Sequence, residues 1–315
     1  MNAMYLSNKG GPEALTWGEL DRPQPQAGEV LVRVHATAAT PTEFEWYPTF
    51  HARDGGPRPF PIVPGHELSG VVAALGPGVT GFRKGEAVYG LNDWFANGGF
   101  AEFAVAPATA LAPKPRTLTH EQAATVPISA LTAWQALFVR ARLQPGQRVL
   151  ILGAAGGVGV YAVQLARARG AHVIATASSG NLDFVRELGA DEVIDHRTTR
   201  FEDLARDIDL VFDPVGGETL ARSWNVLRPG GQVVTIASAS AAATARRDQE
   251  AFMLVEPSRP QLAEIKHRLD TGELRAFVAA DYPLRDARDA FARATRGKMR
   301  GKIAINVAGV TAVTV

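Results

Sequence analysis

An apolar run, Leu150-Ile151-Leu152, breaks into Gly153-Ala154-Ala155-Gly156-Gly157-Val158-Gly159 and passes directly into a long helical pattern. A buried strand that turns through clustered glycines into a helix suits an anion. Glycine lets the backbone turn tightly and approach a phosphate, while the free N–H groups and dipole of the helix start stabilise its negative charge. The spacing G-x-x-G-x-x-G is one residue longer than the commoner G-x-G-x-x-G, and glycines that only let helix and strand pack closely are the plainer alternative. The surroundings favour the pyrophosphate reading, with Gly153, Gly156, Gly157 and Val158 as cofactor-binding residues.

Those surroundings are a succession of α/β units beginning near Thr119. Periodicity predicts strands Arg148–Leu152, His172–Thr176, Glu192–Asp195, Asp209–Asp213 and Gln232–Ile236, alternating with helices Gly157–Arg169, Asn181–Leu188 and Glu218–Leu227. Apolar strands alternating with amphipathic helices make a doubly wound parallel sheet. Before about residue 118 the pattern is β-rich instead, with Val30–Val34, Gly70–Ala73 and Ala87–Tyr89 separated by Gly and Pro turns. After about Arg259 the expected elements are helices Gln261–Leu269 and Asp286–Thr295 and a last strand Lys302–Val307. The Ala/Ser/Thr stretch Ala237–Ala245 is expected to be one flexible loop. The domain expectation is therefore residues 1–118, 119–258 and 259–315, in the α/β class.

A protein that selects NAD usually places Asp or Glu about 20 residues past the glycine turn, on the ribose hydroxyls. Here the second strand ends Ala175-Thr176-Ala177-Ser178-Ser179. Small hydroxyl side chains can donate to a 2′-phosphate that an acid would repel. Thr176, Ser178, Ser179, Asn181 and Arg197 are thus the candidate adenosine-side residues, and the expected cofactor is NADP(H). The alternative is that these polar residues only cap the following helix.

Several motifs stand in one register: Pro64-Gly65-His66-Glu67-Leu68-Ser69-Gly70, Gly76-Pro77-Gly78-Val79, Gly98-Gly99-Phe100-Ala101-Glu102, Leu131-Thr132-Ala133-Trp134, Gly153–Gly159, Leu188-Gly189-Ala190-Asp191, Phe212-Asp213-Pro214-Val215-Gly216-Gly217 and Arg300-Gly301-Lys302. Across essentially its whole length the chain resembles the medium-chain dehydrogenase/reductase superfamily, and most closely its zinc-free quinone oxidoreductases. The resemblance implies a GroES-like catalytic domain, an inserted Rossmann domain, a C-terminal return to the catalytic domain, a cofactor held between them and a homodimer formed by edge pairing of the last Rossmann strands near Gln232–Ile236. It also implies that Thr40, Thr132, Val215 and Ala237 line the cofactor.

Zinc enzymes of this superfamily take their metal through a Cys near Thr40-Pro41, the His of the G-H-E motif and a Cys or acid near Ser129. Only His66 matches, and the chain has no cysteine at all. One imidazole without thiolate partners holds zinc poorly, so no metal is expected. Without a metal to polarise a C–O bond, reduction of a quinone or an α,β-unsaturated carbonyl makes the smaller chemical demand. The candidate catalytic residues are Tyr47, Thr132 and His66. Glu43 is a further pocket candidate, with Trp46, Trp94 and Phe95 as apolar walls. A Tyr between Trp46 and Pro48 is more often a packing residue.

Other readings are an enoyl-thioester reductase, an alcohol dehydrogenase relative that has lost zinc, and a non-catalytic NADP(H)-binding redox sensor. The formal net charge is +1 with no run of five like charges, so neither nucleic acid nor membrane is an expected partner. The N-terminus has no basic start leading into an apolar core, which makes the cytoplasm the expected location.

Overall fold

A computed structural model of the chain describes residues 1–237, 245–297 and 299–308. The expected loop over 237–245 therefore lies, from 238 to 244, outside the described residues. Contacts divide the chain into two compact units. One holds Met1–Ile128, Pro257–Gly272 and Ala276–Val315; the other holds Ser129–Glu256 and Glu273–Arg275.

In chain order the first unit begins with β1 (Asn2–Leu6) and β2 (Leu15–Glu19), then β3 (Glu29–Ala39), β4 (Glu67–Leu75), β5 (Ala87–Leu91), β6 (Phe103–Pro107) and β7 (Leu111–Pro113). The second unit contributes β8 (Arg148–Ile151), β9 (His172–Ala177), β10 (Glu192–Asp195), β11 (Ile208–Asp213) and β12 (Leu227–Thr235). The chain then returns to the first unit with β13 (Val278–Pro283) and β14 (Lys302–Asn306).

The seven-stranded sheet runs β13-β14-β3-β4-β5-β7, with β6 also paired to β3. Its longest strand, β3, has a buried stretch Ala36–Ala39 that carries two alanines at its end and pairs with β14. The sequence expectation stopped at Val34 because Ala36-Thr37-Ala38-Ala39 lacks the bulky β-branched alternation by which strands are recognised. β13 was not expected. It is an edge strand of small and polar residues ending in Pro283, alternately half-buried and exposed, and such edges carry a weak hydrophobic signal. One apolar core lies among β3, β4, β5 and β6, and a second gathers Phe44, Phe100, Leu284 and Phe291.

In the second unit all five strands are parallel in the order β10-β9-β8-β11-β12. The order reverses between β8 and β11, which is the topological switch point where such sheets open a crevice at their carboxyl ends. The helix Gly159–Ala168 follows β8 and starts two residues later than the sequence suggests. The helix expected over Glu218–Leu227 ends at Ser223 and tightens into a 3-10 turn over Trp224–Val226. β12 starts at Leu227, earlier than the expected Gln232, because its first residues form an irregular pairing with Ile208 through the Gly230-Gly231 bend. Its far end is not open: Thr235 bridges Phe252 in parallel, and the Met253 N–H donates to the Thr235 carbonyl at 2.9 Å. The short helix His120–Ala124 and the helix Arg259–Asp270 both lie in the first unit.

Candidate active site

The predicted nucleotide residues gather at the carboxyl end of the parallel sheet. After β8 the backbone enters Gly153 with φ of +60°, a conformation that favours glycine. The loop is then fastened to β9 on two sides. The Gly153 N–H donates to the Thr176 hydroxyl at 3.1 Å, and the Ala154 N–H donates to the Thr176 carbonyl at 2.9 Å. Thr176 is buried, so its hydroxyl positions the loop. Gly159 is required by proximity: a Cβ there would lie 2.4 Å from the Gly153 carbonyl oxygen. Among the described residues, the N–H groups of Gly157, Val158 and Gly159 meet no acceptor. Three unsatisfied donors at a helix start fit a dinucleotide pyrophosphate.

Across the switch point, the fully buried Asp213 at the end of β11 accepts from the N–H groups of Val215 (2.9 Å) and Gly216 (3.0 Å) and from the Thr235 hydroxyl (3.2 Å). Burial pushes its carboxyl up, and these three donors oppose that. The carboxylate thereby moulds the turn that carries the exposed Val215. A Cβ on Gly153 would touch Val215 at 3.3 Å, so Val215 stands beside the glycine loop, and one on Gly216 would meet Ala237, which lies against the Val215 turn.

In the segment expected to face the adenosine, Ser178 accepts from the Asn181 side chain at 3.2 Å. The carboxylate of Asp195 at the end of β10 accepts the Arg197 N–H at 3.0 Å, with the Ser179 hydroxyl close by. The neighbouring Ser179 hydroxyl and the Arg197 N–H hold the Asp195 carboxyl below its usual range. The Arg197 side chain is exposed.

The remaining candidates, except Thr132, lie in the other unit. Glu43, in a short 3-10 turn after β3, is buried and accepts from the Gly65 N–H (2.7 Å) and pairs with His66 Nδ1 (2.7 Å). His66 Nε2 lies 2.9 Å from the Trp94 carbonyl oxygen. Both ring nitrogens thus face oxygen acceptors, and the buried imidazole is held between two loops. Trp46 packs edge-on against Trp94 at 5.0 Å, and Arg53 covers the Phe95 ring while pairing with Asp93. Trp46, Trp94 and Phe95 are therefore walls joined by cross-links between these loops, to which Arg58 adds a bond to Asn97 at 3.0 Å.

Tyr47 does not pack into that wall. It is 56% exposed and lies flat on His51, with ring centroids 4.1 Å apart. The packing expectation drawn from its neighbours Trp46 and Pro48 fails because the short helix Tyr47–Phe50 turns the ring outward. Thr132 lies buried in the helix Pro127–Trp134, in the part from Ser129 onward that belongs to the second unit.

Glu67 and Lys302 stand in the sequence only as members of two distant motifs. In the structure they form a buried ion pair. The Glu67 carboxylate also accepts from the Ile128 N–H at 3.0 Å, and the Lys302 ammonium donates to the Thr40 hydroxyl at 2.9 Å. Burial pushes the Glu67 carboxyl up, against the Lys302 charge. Because Thr40 accepts from Lys302, its own hydroxyl proton is left to point elsewhere. No spacing rule links residues 235 positions apart, so this triad was not readable from the chain.

A parallel sheet with a glycine turn and helix start at its switch point, and a β-rich unit that holds a shielded imidazole and a buried ammonium, are together the two parts of a dinucleotide-dependent oxidoreductase. Residues 26–116 match the model of the alcohol dehydrogenase GroES-like domain, and residues 188–305 match that of a zinc-binding dehydrogenase. The chain is 34% identical to a probable mitochondrial zinc-binding oxidoreductase of Arthroderma benhamiae, over 89% of this chain and 88% of the relative. It is 31% identical to a chloroplast envelope quinone oxidoreductase homolog of Arabidopsis thaliana, over 96% of each. Among solved structures, the quinone oxidoreductase from Coxiella burnetii superposes with a TM-score of 0.89 at 27% identity, over 98% of this chain and 99% of that one. The chain belongs to the medium-chain dehydrogenase/reductase superfamily, in its quinone-oxidoreductase-like branch. It is an enzyme that uses a nicotinamide cofactor.

Proposed function

We propose that the enzyme reduces a small quinone or α,β-unsaturated carbonyl with NADPH and without zinc. The observation that carries this reading is the internal engagement of the groups at the family's metal position. His66 is bonded at both nitrogens, Glu67 is neutralised by Lys302, and Thr40 and Ser129 stand where thiolate or acid would be needed. These residues do not fit a zinc ion, so the acceptor must be electron-poor by its own chemistry.

The bound cofactor supplies the hydride. The protein orients the two reactants and excludes competing reactions. The Trp46–Trp94 wall and the exposed Tyr47 ring suit a flat, conjugated acceptor, and the Thr40 hydroxyl, with an ammonium behind it, is a donor for a developing negative oxygen. The preference for NADPH rests on the absence of an acid at the end of β9, on Ser178 and Asn181, and on the exposed Arg197, whose charge is free to meet a 2′-phosphate.

A panel of quinones, enones, enoyl thioesters and alcohols tests the reading, with NADPH consumption as the signal and metal analysis on chelator-free protein. Turnover of quinones or enones with less than about 0.1 zinc per chain is expected. About one zinc per chain with alcohol oxidation would replace this reading with the zinc dehydrogenase one. NADPH binding with no turnover across the panel would favour a redox sensor.

We also propose that the enzyme is a homodimer. Because Phe252 and Met253 cover the end of β12, the pairing edge is displaced from the expected Gln232–Ile236 to the segment from Phe252 to Glu256. There Leu254 is 54% exposed beside Val139 at 55%. Apolar side chains in such a position call for a covering surface.

A further inference from the structure

The acid missing from the end of β9 is supplied by its neighbour. β9 and β10 pair in parallel, with Asp195 in register with Ala177, and both strands end at the carboxyl edge of the sheet. The carboxylate of Asp195 consequently stands beside Ser178 and Ser179, the segment that the nucleotide reading assigns to the adenosine ribose. Ser179 lies close to this carboxylate and helps to hold its carboxyl below the usual range. Arg197 meets the carboxylate through its main-chain N–H, at 3.0 Å, while its side chain stays exposed.

Resting on the dinucleotide site proposed above, we infer that Asp195 is a specificity-determining residue that limits affinity for the 2′-phosphate. A phosphate monoester carries a charge of about −1.5 to −2 at neutral pH, and a carboxylate at the same ribose edge repels it. A free 2′-hydroxyl, by contrast, can donate to Asp195. Arg197 and Asp195 act in opposite directions on the same group. The wild-type enzyme therefore prefers NADPH only modestly and accepts NADH. Strong selectivity would require Arg197 without Asp195.

The test uses Asp195→Asn, which keeps an oxygen to accept from Ser179 and the Arg197 N–H and removes only the charge. Asp195→Ser is a second neutral variant, and Asp203→Asn, on an exposed position of another helix, controls for net charge. Binding of adenosine 2′,5′-bisphosphate and of 5′-AMP is measured by calorimetry, alongside NADPH and NADH titrations followed by tryptophan fluorescence. In both Asp195 variants the bisphosphate is expected to bind roughly five- to tenfold more tightly, with 5′-AMP changed by less than about twofold. The kcat/KM ratio of NADPH to NADH should rise by a similar factor. An unchanged bisphosphate affinity, or an equal gain in Asp203→Asn, overturns the inference while leaving the dinucleotide site intact. Failure of the wild type to bind either dinucleotide overturns both.

Discussion

Among single residues, His120 is one whose environment alters its chemistry. Its ring stacks on His35 with centroids 4.4 Å apart, and its Nδ1 lies 2.8 Å from the Ser69 hydroxyl, which itself donates to the Val88 carbonyl. Burial, then the neighbouring His35 and Lys114, push His120 down to about 4. The native state thus resists a proton that the unfolded chain binds near pH 6.5. The unfolded state gains protons first as pH falls, so stability is fully present above about pH 6.5 and is lost between there and about pH 4. Allowing for the solvent-exposed part of the ring, the loss is about 1–2 kcal/mol. His120→Gln should remove this part of the acid sensitivity, giving a flatter Tm profile between pH 6.5 and 4.5; a profile parallel to wild type would exclude His120 as its source. Neither the stack nor the depressed basicity was legible beforehand, because His35 and His120 belong to separate elements.

At the level of the element, the glycine turn shows how closely a local sequence can specify local structure. Gly153 supplies the left-handed turn and Gly159 the close approach of helix to loop. A methyl group at Gly159 would meet backbone atoms, which cannot swing aside as a side-chain end can. Gly159→Ala is expected to cost about 1–3 kcal/mol of stability and to weaken NADPH binding by about tenfold or more. Gly180→Ala, where a Cβ would meet nothing within 4 Å, should leave stability within about 0.5 kcal/mol. Calorimetric melting and fluorescence titration of the two variants decide it; equal behaviour would mean that the helix can recede from the loop. The strands β8 to β11 were legible for the same reason as the turn: each is a buried apolar run bounded by turn residues. The alanine-rich end of β3 and the edge strand β13 were not, since their pairing partners supply what their own side chains lack.

On the scale of the whole molecule, the path of the chain matters most. β14 sits inside the seven-stranded sheet, between β13 and β3, so the first unit is completed by residues made last. The same strand delivers Lys302 to Glu67 and Thr40. The proposed dimer is argued at this scale too. Leu254 and Val139 belong to the second unit and share one surface hollow with Met253, Arg140 and Arg142. A wild-type dimer in sedimentation at micromolar concentration, converted to monomer by Leu254→Lys, is expected. A wild-type monomer, or a Leu254→Lys dimer of unchanged affinity, would rule out this surface. Among the described residues no helix is long and apolar enough to cross a membrane.

The sequence by itself determined the parallel-sheet architecture, the glycine turn from strand to helix, the absence of sulfur ligands and the family, because each rests on contiguous residues or on motifs in fixed order. The tertiary structure alone decided which side chains are still available to a ligand. Tyr47 is turned out, Thr176 is tied to its loop, His66 is closed on both sides, and the Asp195 carboxylate accepts the Arg197 N–H. The physical reason is that a hydrogen bond or ion pair is set by distance in space, and strand pairing brings together residues that no local period relates.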